Sequence, residues 1–179
     1  MYENKKINTT LLNGITKIGY YGPIILLGVI IFFITFPTIL LPVAIPITII
    51  PLVYVYICLW QMISHLLNVI IKNTLKAPRP DSNLEEFKSI NPCLRNYLTI
   101  HRQYGMPSGH AQSVCSQLVF LVLFFNNPVL TILAAGQTVI TLWQRYYNER
   151  HSLKQLFVGS MIGIGIGYIF YKIIIRLFS

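Results

Sequence analysis

GPIILLGVIIFFITFPTILLPVAIPITIIPLVYVYICLWQMISHLLNVII, residues 22–71, contains no charged side chain. At about 1.5 Å of rise per residue, the run is long enough for two helical crossings of a bilayer, each of about 20 residues. Pro37, Pro42, Pro46 and Pro51 punctuate it. They predict a membrane helix over about 22–43, a turn at the middle prolines and a second helix over about 48–75. Three crossings in the same run would require very short spans.

The composition agrees. Of 179 residues, 54% are hydrophobic and only 11% charged, the balance of a membrane protein rather than a soluble domain. A formal net charge of +9 on so apolar a body points to anionic headgroups or a phosphorylated substrate. Nucleic acid is excluded as a partner, because no dense basic run is interleaved with aromatics. Cys58, Cys93 and Cys115 are odd in number and two lie in apolar segments, so they read as free thiols and not as a disulfide framework. Residues 1–20 carry Lys5, Lys6 and Lys17 among scattered Ile and Leu. They read either as a helix lying in the membrane interface or as a tail. This polar start lacks the usual form of a cleavable signal peptide.

Beyond the apolar run, residues 76–107 are polar and read as an extramembrane loop. Its length and the aromatics Phe87, Tyr97 and Tyr104 favour a packed cap. A third helix is expected over about 108–125, with a tight return at Asn126-Asn127-Pro128. A fourth follows over about 129–147 and a last over about 153–176. Gly159, Gly163 and Gly167 share a face of that last helix, the pattern of a close packing seam. The expected fold is all-α, one domain over residues 1–179: a polytopic bundle of about five transmembrane helices with an N-terminal interfacial segment.

Following the crossings, the ends of the second and fourth helices and the starts of the third and fifth emerge on one side. Lys72, Lys76, Arg79, Ser108, His110, Arg145 and His151 then share one membrane-edge layer. Clustered positive charge there calls for an anion. Pro107 and Ser108 read as a helix start whose free N–H groups, near Gly109, would cradle a phosphate; an ordinary capped helix with a surface histidine is the alternative. Arg offers a planar fork and Lys a point charge. With a phosphate so held, one histidine can attack phosphorus while the other donates a proton to the leaving oxygen. Fixed cations then stabilise the developing charge, so neither a metal nor another cofactor is called for.

These residues resemble the type 2 phosphatidic acid phosphatase superfamily, with its signatures K-x6-R-P, P-S-G-H and S-R-x5-H-x3-D. Lys72 with Arg79-Pro80 fits the first, Pro107-Ser108-Gly109-His110 the second, and Arg145 followed by His151 the spacing of the third. The resemblance covers roughly residues 50–170. It implies His151 as the nucleophile, forming a phosphohistidine, and His110 as the general acid. Lys72, Arg79, Ser108, Gly109 and Arg145 would hold the phosphoryl oxygens. Gln144 replaces the usual Ser, and Gln155 stands where Asp is common. The Asp would orient the histidine and stabilise its positive form; Gln155 can orient the ring through its carbonyl oxygen but supplies no charge. His-x3-Gln, together with Gly-Met-Pro-Ser before His-x-Gln, looks like the dolichyl diphosphate phosphatase branch, which acts on polyprenyl diphosphates.

The remaining polar residues read more plainly. Glu149 is expected to pair with Arg145 at helical spacing, His65 to be a packing residue and His101 a solvated loop residue. Lys76 reads as a snorkelling lysine or as part of the phosphate field. The expected function is a membrane phosphatase or diphosphatase acting on a polyprenyl diphosphate or related lipid phosphate, in the endoplasmic reticulum or another internal membrane. The alternatives are a catalytically silent lipid-phosphate binder of the same fold and a lipid phosphotransferase. For orientation, the positive-inside bias would put the site in the cytoplasm, whereas the resembled branch acts on the lumenal side.

Overall fold

The computed structural model describes residues 2–36, 48, 50–80 and 104–178. Among them are six helices: α1 (Tyr2–Tyr20), α2 (Gly22–Thr35), α3 (Ile50–Leu75), α4 (Gly109–Phe125), α5 (Pro128–Tyr147) and α6 (Leu153–Phe178). The all-α class is met, and so are the expected helix positions to within two residues, except that the first membrane helix ends at Thr35 and not near residue 43, because Phe36 before Pro37 is disfavoured in helical geometry. The middle prolines Pro37, Pro42 and Pro46, and the cap expected around Phe87 and Tyr97, lie outside the described residues.

Local chemistry explains where the helices begin and end. Pro23 occupies the first turn of α2, where a missing N–H costs nothing. Ser108 caps α4 in an extended conformation, its hydroxyl accepting from the Ala111 N–H. Asn126 closes α4 in the left-handed region, and Asn127 caps α5 by accepting from the Leu130 N–H at 3.0 Å. The two helices are thus joined by two residues, the tight return expected. Ser152 and Gln155 form a reciprocal capping box ahead of α6: the Ser152 N–H donates to Gln155 Oε1 at 3.2 Å and the Gln155 N–H to Ser152 Oγ at 3.3 Å.

α4 is the axis of the bundle, touching α2, α3, α5 and α6. Its closest neighbour is α6, along the glycine seam. A methyl built on Gly159 would stand 2.6 Å from the Ser108 carbonyl oxygen, and methyls on Gly163 and Gly167 would collide with the carbonyl oxygens of Gln112 and Ser116. Only glycine lets the two backbones meet this way. Deeper in the bundle, Trp60 of α3 packs on Phe120 of α4 and Phe170 of α6, at ring separations of 4.9 and 5.9 Å. Large apolar side chains such as Ile132, Leu133 and Val139 on α5 and Phe157 on α6 remain exposed on the outer surface. That is the arrangement suited to lipid.

The sequence suggested about five spans. By length and composition, two of the described helices can each cross a membrane, α3 and the stretch Leu153–Leu177 of α6. A third span is available if residues 11–35 act as one, although they bend by 62° between Tyr20 and Gly22. α4 is apolar but only 17 residues long, and it carries buried Gln112, Ser116 and Gln117 inward. α5 likewise buries Thr138, Thr141 and Gln144. Their polar content faces the bundle interior, which lowers the apolarity of each helix without exposing polar groups to lipid.

Candidate active site

Ser64, Asn68 and Lys72 follow one another at four-residue spacing on α3 and are all buried. This polar stripe faces the start of α4. Gln112 Nε2 donates to the Ser64 carbonyl at 2.7 Å and to its hydroxyl at 3.0 Å, while Gln112 Oε1 accepts from Asn68 Nδ2 at 2.8 Å. Asn68 Nδ2 also reaches the Pro107 carbonyl at 3.4 Å. The Pro-Ser-Gly-His turn is thereby tied to the helix that carries Lys72.

At the end of α3 the backbone turns back, with Lys76 at a φ of 46°. The next residues pair with the segment that enters α4: Pro78 bridges Tyr104, and the Gly105 N–H donates to the Ala77 carbonyl at 2.8 Å. This pairing sets Arg79 beside the turn between α5 and α6, where its Nη1 reaches the Arg150 carbonyl at 3.5 Å. In that turn the His151 N–H donates to the Arg145 carbonyl at 3.2 Å, linking the two motif residues directly.

The elements enclose a cavity of about 460 Å³. Lys72, Arg79, Gly109, His110, Arg145 and His151 all line it. Lys72 and His151 are each 2% exposed and Arg145 is 6% exposed, so the cations sit in a poorly solvated wall where an anion would be strongly favoured. Ser108, expected among the phosphate ligands, is not part of the lining: it is fully buried, its N–H donates to the Gln155 carbonyl at 3.2 Å and its hydroxyl accepts from the Ala111 N–H as the cap of α4. Of the residues expected in the charged layer, Lys76 is exposed and outside the cavity lining, and His101 lies outside the described residues. His65 differs from its expected packing role: it is exposed and lines the cavity.

The orienting group of His151 also differs from the sequence reading. His151 Nδ1 lies 3.0 Å from the Gly105 carbonyl oxygen. A carbonyl can only accept, so Nδ1 carries the proton and Nε2 keeps its lone pair. Gln155 does not take that position, because its side chain is engaged elsewhere. Its Oε1 closes the capping box and its Nε2 donates to the Pro78 carbonyl at 2.7 Å. It also packs on Gly105 so closely that a methyl there would collide with it. Gln155 therefore acts through the paired segments that present the Gly105 carbonyl. Glu149 likewise departs from expectation. α5 ends at Tyr147, and Glu149 has a φ of 53°, so the helical spacing to Arg145 is broken.

Burial pushes the His151 pKa down to about 2, helped by Arg79, Arg145, Lys72 and His110. The ring is neutral at pH 7, as a nitrogen nucleophile must be.

The PAP2 superfamily profile matches residues 52–178. The chain belongs to the PAP2 superfamily. Among characterised relatives it is similar to dolichyldiphosphatase 1 of Dictyostelium discoideum, 29% identical over 161 residues, which cover 78% of this chain and 63% of that one. It is also similar to the dolichyldiphosphatase of Saccharomyces cerevisiae, 27% identical over 124 residues, covering 64% of this chain and 48% of the relative. The chain thus spans about half to two thirds of the length of these relatives. A transmembrane PAP2-type phosphatidylglycerolphosphate phosphatase from Bacillus subtilis superposes with a TM-score of 0.50 at 16% identity, over 93% of this chain and 87% of that one. The overall PAP2 fold is therefore shared with a membrane enzyme.

The sequence reading of this PAP2 site omitted Tyr20, Ser64, Asn68 and Gly105. Ser64 and Asn68 did leave a signal, since they extend the Lys72 face by two helical turns. Tyr20 and the Gly105 carbonyl left none.

Proposed function

We propose that the protein is an integral membrane phosphatase that removes a terminal phosphate from a polyprenyl diphosphate or a related lipid phosphate through a phosphohistidine. The observation that carries this reading is the gathering of Lys72, Arg79 and Arg145 around a cavity that also holds His110 and a neutral, backbone-held His151. The names of the relatives from Dictyostelium and yeast favour the diphosphate.

The bound phosphoryl group lies among the three cations and the N–H group of Gly109 at the start of α4. Its negative charge favours the protonated form of His110. His151 Nε2 attacks phosphorus, a P–N bond forms, and the bond to the leaving oxygen breaks as His110 gives that oxygen its proton. The Gly105 carbonyl accepts from Nδ1–H throughout and steadies the positive ring. Water then attacks phosphorus, its proton passes to His110, and the P–N electron pair returns to Nε2 as phosphate leaves. The lipid tail lies towards Pro23, Ile24 and His65, where the lining is apolar or exposed.

The test is phosphate release in detergent, with chelator present, from polyprenyl diphosphate and from phosphatidic acid. Wild type is expected to turn over the diphosphate, and His151→Ala to lose at least about 10³-fold in kcat. Full activity in both His151→Ala and His110→Ala would overturn the mechanism.

A further inference from the structure

The cavity has one wall that none of the three motifs supplies. Tyr20, the last residue of α1, lines it. Its ring lies 5.5 Å from the His110 ring at a tilt of 43°, and Arg145 Cζ stands 5.9 Å from its centroid in a cation–π contact. One residue therefore touches both the proposed acid and a proposed phosphate ligand.

Its placement is built into the fold. The chain bends by 62° between α1 and α2, and the elbow is seated on α5. Gln137 Nε2 donates to the Ile18 carbonyl at 3.0 Å. A methyl on Gly19 would stand 2.6 Å from Gln144 Cβ, and one on Gly22 would collide with Thr141 Oγ1. Two glycines at three-residue spacing thus bring the elbow backbone into direct contact with α5, one turn from Arg145. A segment that merely rested on the membrane surface would need neither the close fit nor an aromatic directed at the site.

We propose that the α1–α2 elbow is a working wall of the active site, in which Tyr20 is a positioning residue that fixes the His110 ring for proton delivery and screens Arg145 from water. The inference rests on the phosphatase reading above. A mispositioned acid slows the step in proportion to how much the leaving oxygen needs a proton. An alkyl phosphate needs one; a nitrophenyl phosphate, whose leaving phenolate is stable without it, does not.

The experiment compares wild type with Tyr20→Ala, Tyr20→Phe and Gln137→Leu on a short-chain phosphatidic acid and on para-nitrophenyl phosphate, using the full chain in detergent. Tyr20→Ala is expected to lose about tenfold in kcat on the alkyl substrate and less than about twofold on the nitrophenyl one. Tyr20→Phe keeps the ring and stays within about twofold of wild type on both. Gln137→Leu, which loosens the elbow from outside the cavity, reproduces the substrate-dependent split. Equal losses on both substrates, the signature of a merely structural role, or no loss on either, would overturn the elbow proposal while leaving the phosphatase reading intact. A wild type that releases phosphate from neither substrate would overturn the elbow proposal, and the phosphatase reading would fall with it only if polyprenyl diphosphate were also left intact.

Discussion

α6 meets α4 backbone to backbone, whereas α2 and α3 leave a cavity between their facing ends. On the first side, the glycines of α6 admit the carbonyls of Ser108, Gln112 and Ser116 into direct contact. On the second side, Ile24 and His65 stay exposed while Ser64, Asn68 and Lys72 turn inward. The contrast separates two tasks. The seam fixes the start of α4, and with it the proposed phosphate cradle, to within the tolerance that charge recognition demands. The opposite side leaves room for a substrate whose tail remains in lipid.

The sharpest way to break the contrast is to fill the seam. Gly163→Leu must displace the Gln112 backbone and is expected to destabilise the protein by at least about 3 kcal/mol, read as loss of folded protein or a lowered unfolding midpoint in detergent. Next in size is Gln155→Leu, which removes the hydrogen bond to the Pro78 carbonyl and the side-chain half of the capping box while leaving His151 in place. kcat is expected to fall by about ten- to a hundredfold with KM little changed, because the Gly105 carbonyl loses its support. A KM effect alone would place Gln155 in substrate binding instead.

A pH titration probes the buried side of the site. His151 has a folded pKa pushed down to about 2 against an ordinary value of 6.5. Below pH 6.5 the unfolded chain therefore takes up a proton that the folded site refuses. The stability contributed by neutral His151 is present above that pH and is lost as pH falls towards the folded pKa. The unfolding midpoint of the phosphate-free protein is expected to drop from pH 7 to pH 5, and less steeply in His151→Gln. Identical slopes would remove His151 as the source. The smallest effect is expected at Gly165→Ala on α6. This glycine faces open space, so stability should change by no more than about 0.5 kcal/mol. A loss as large as that of Gly163→Leu would dissolve the distinction between the two sides.

Much of this was legible in the sequence, for identifiable reasons. The uncharged run of residues 22–71 and the glycines at positions 159, 163 and 167 carry periodic signals that local physics converts into helices and a seam. Lys72, Arg79, His110, Arg145 and His151, which the structure gathers around one cavity, are legible because the phosphate chemistry proposed for it restricts which side chains can serve. The Gly105 carbonyl was not, since a backbone acceptor has no residue type of its own. Gln155 was misassigned for the related reason that its spacing from His151 suits an orienting contact, yet the capping box with Ser152 competes for the same side chain. Tyr20 escaped notice because α1 reads locally as an interfacial segment. Only tertiary docking of Gly19 and Gly22 on α5 brings its ring to the cavity.

The most direct measurement is to trap the covalent intermediate. Polyprenyl diphosphate labelled in its terminal phosphate, mixed with enzyme and quenched within a turnover, should leave an acid-labile, base-stable label that maps to His151 and is absent from His151→Ala. Turnover by wild type without any such label, or the same label on His151→Ala, would contradict a phosphohistidine at this residue.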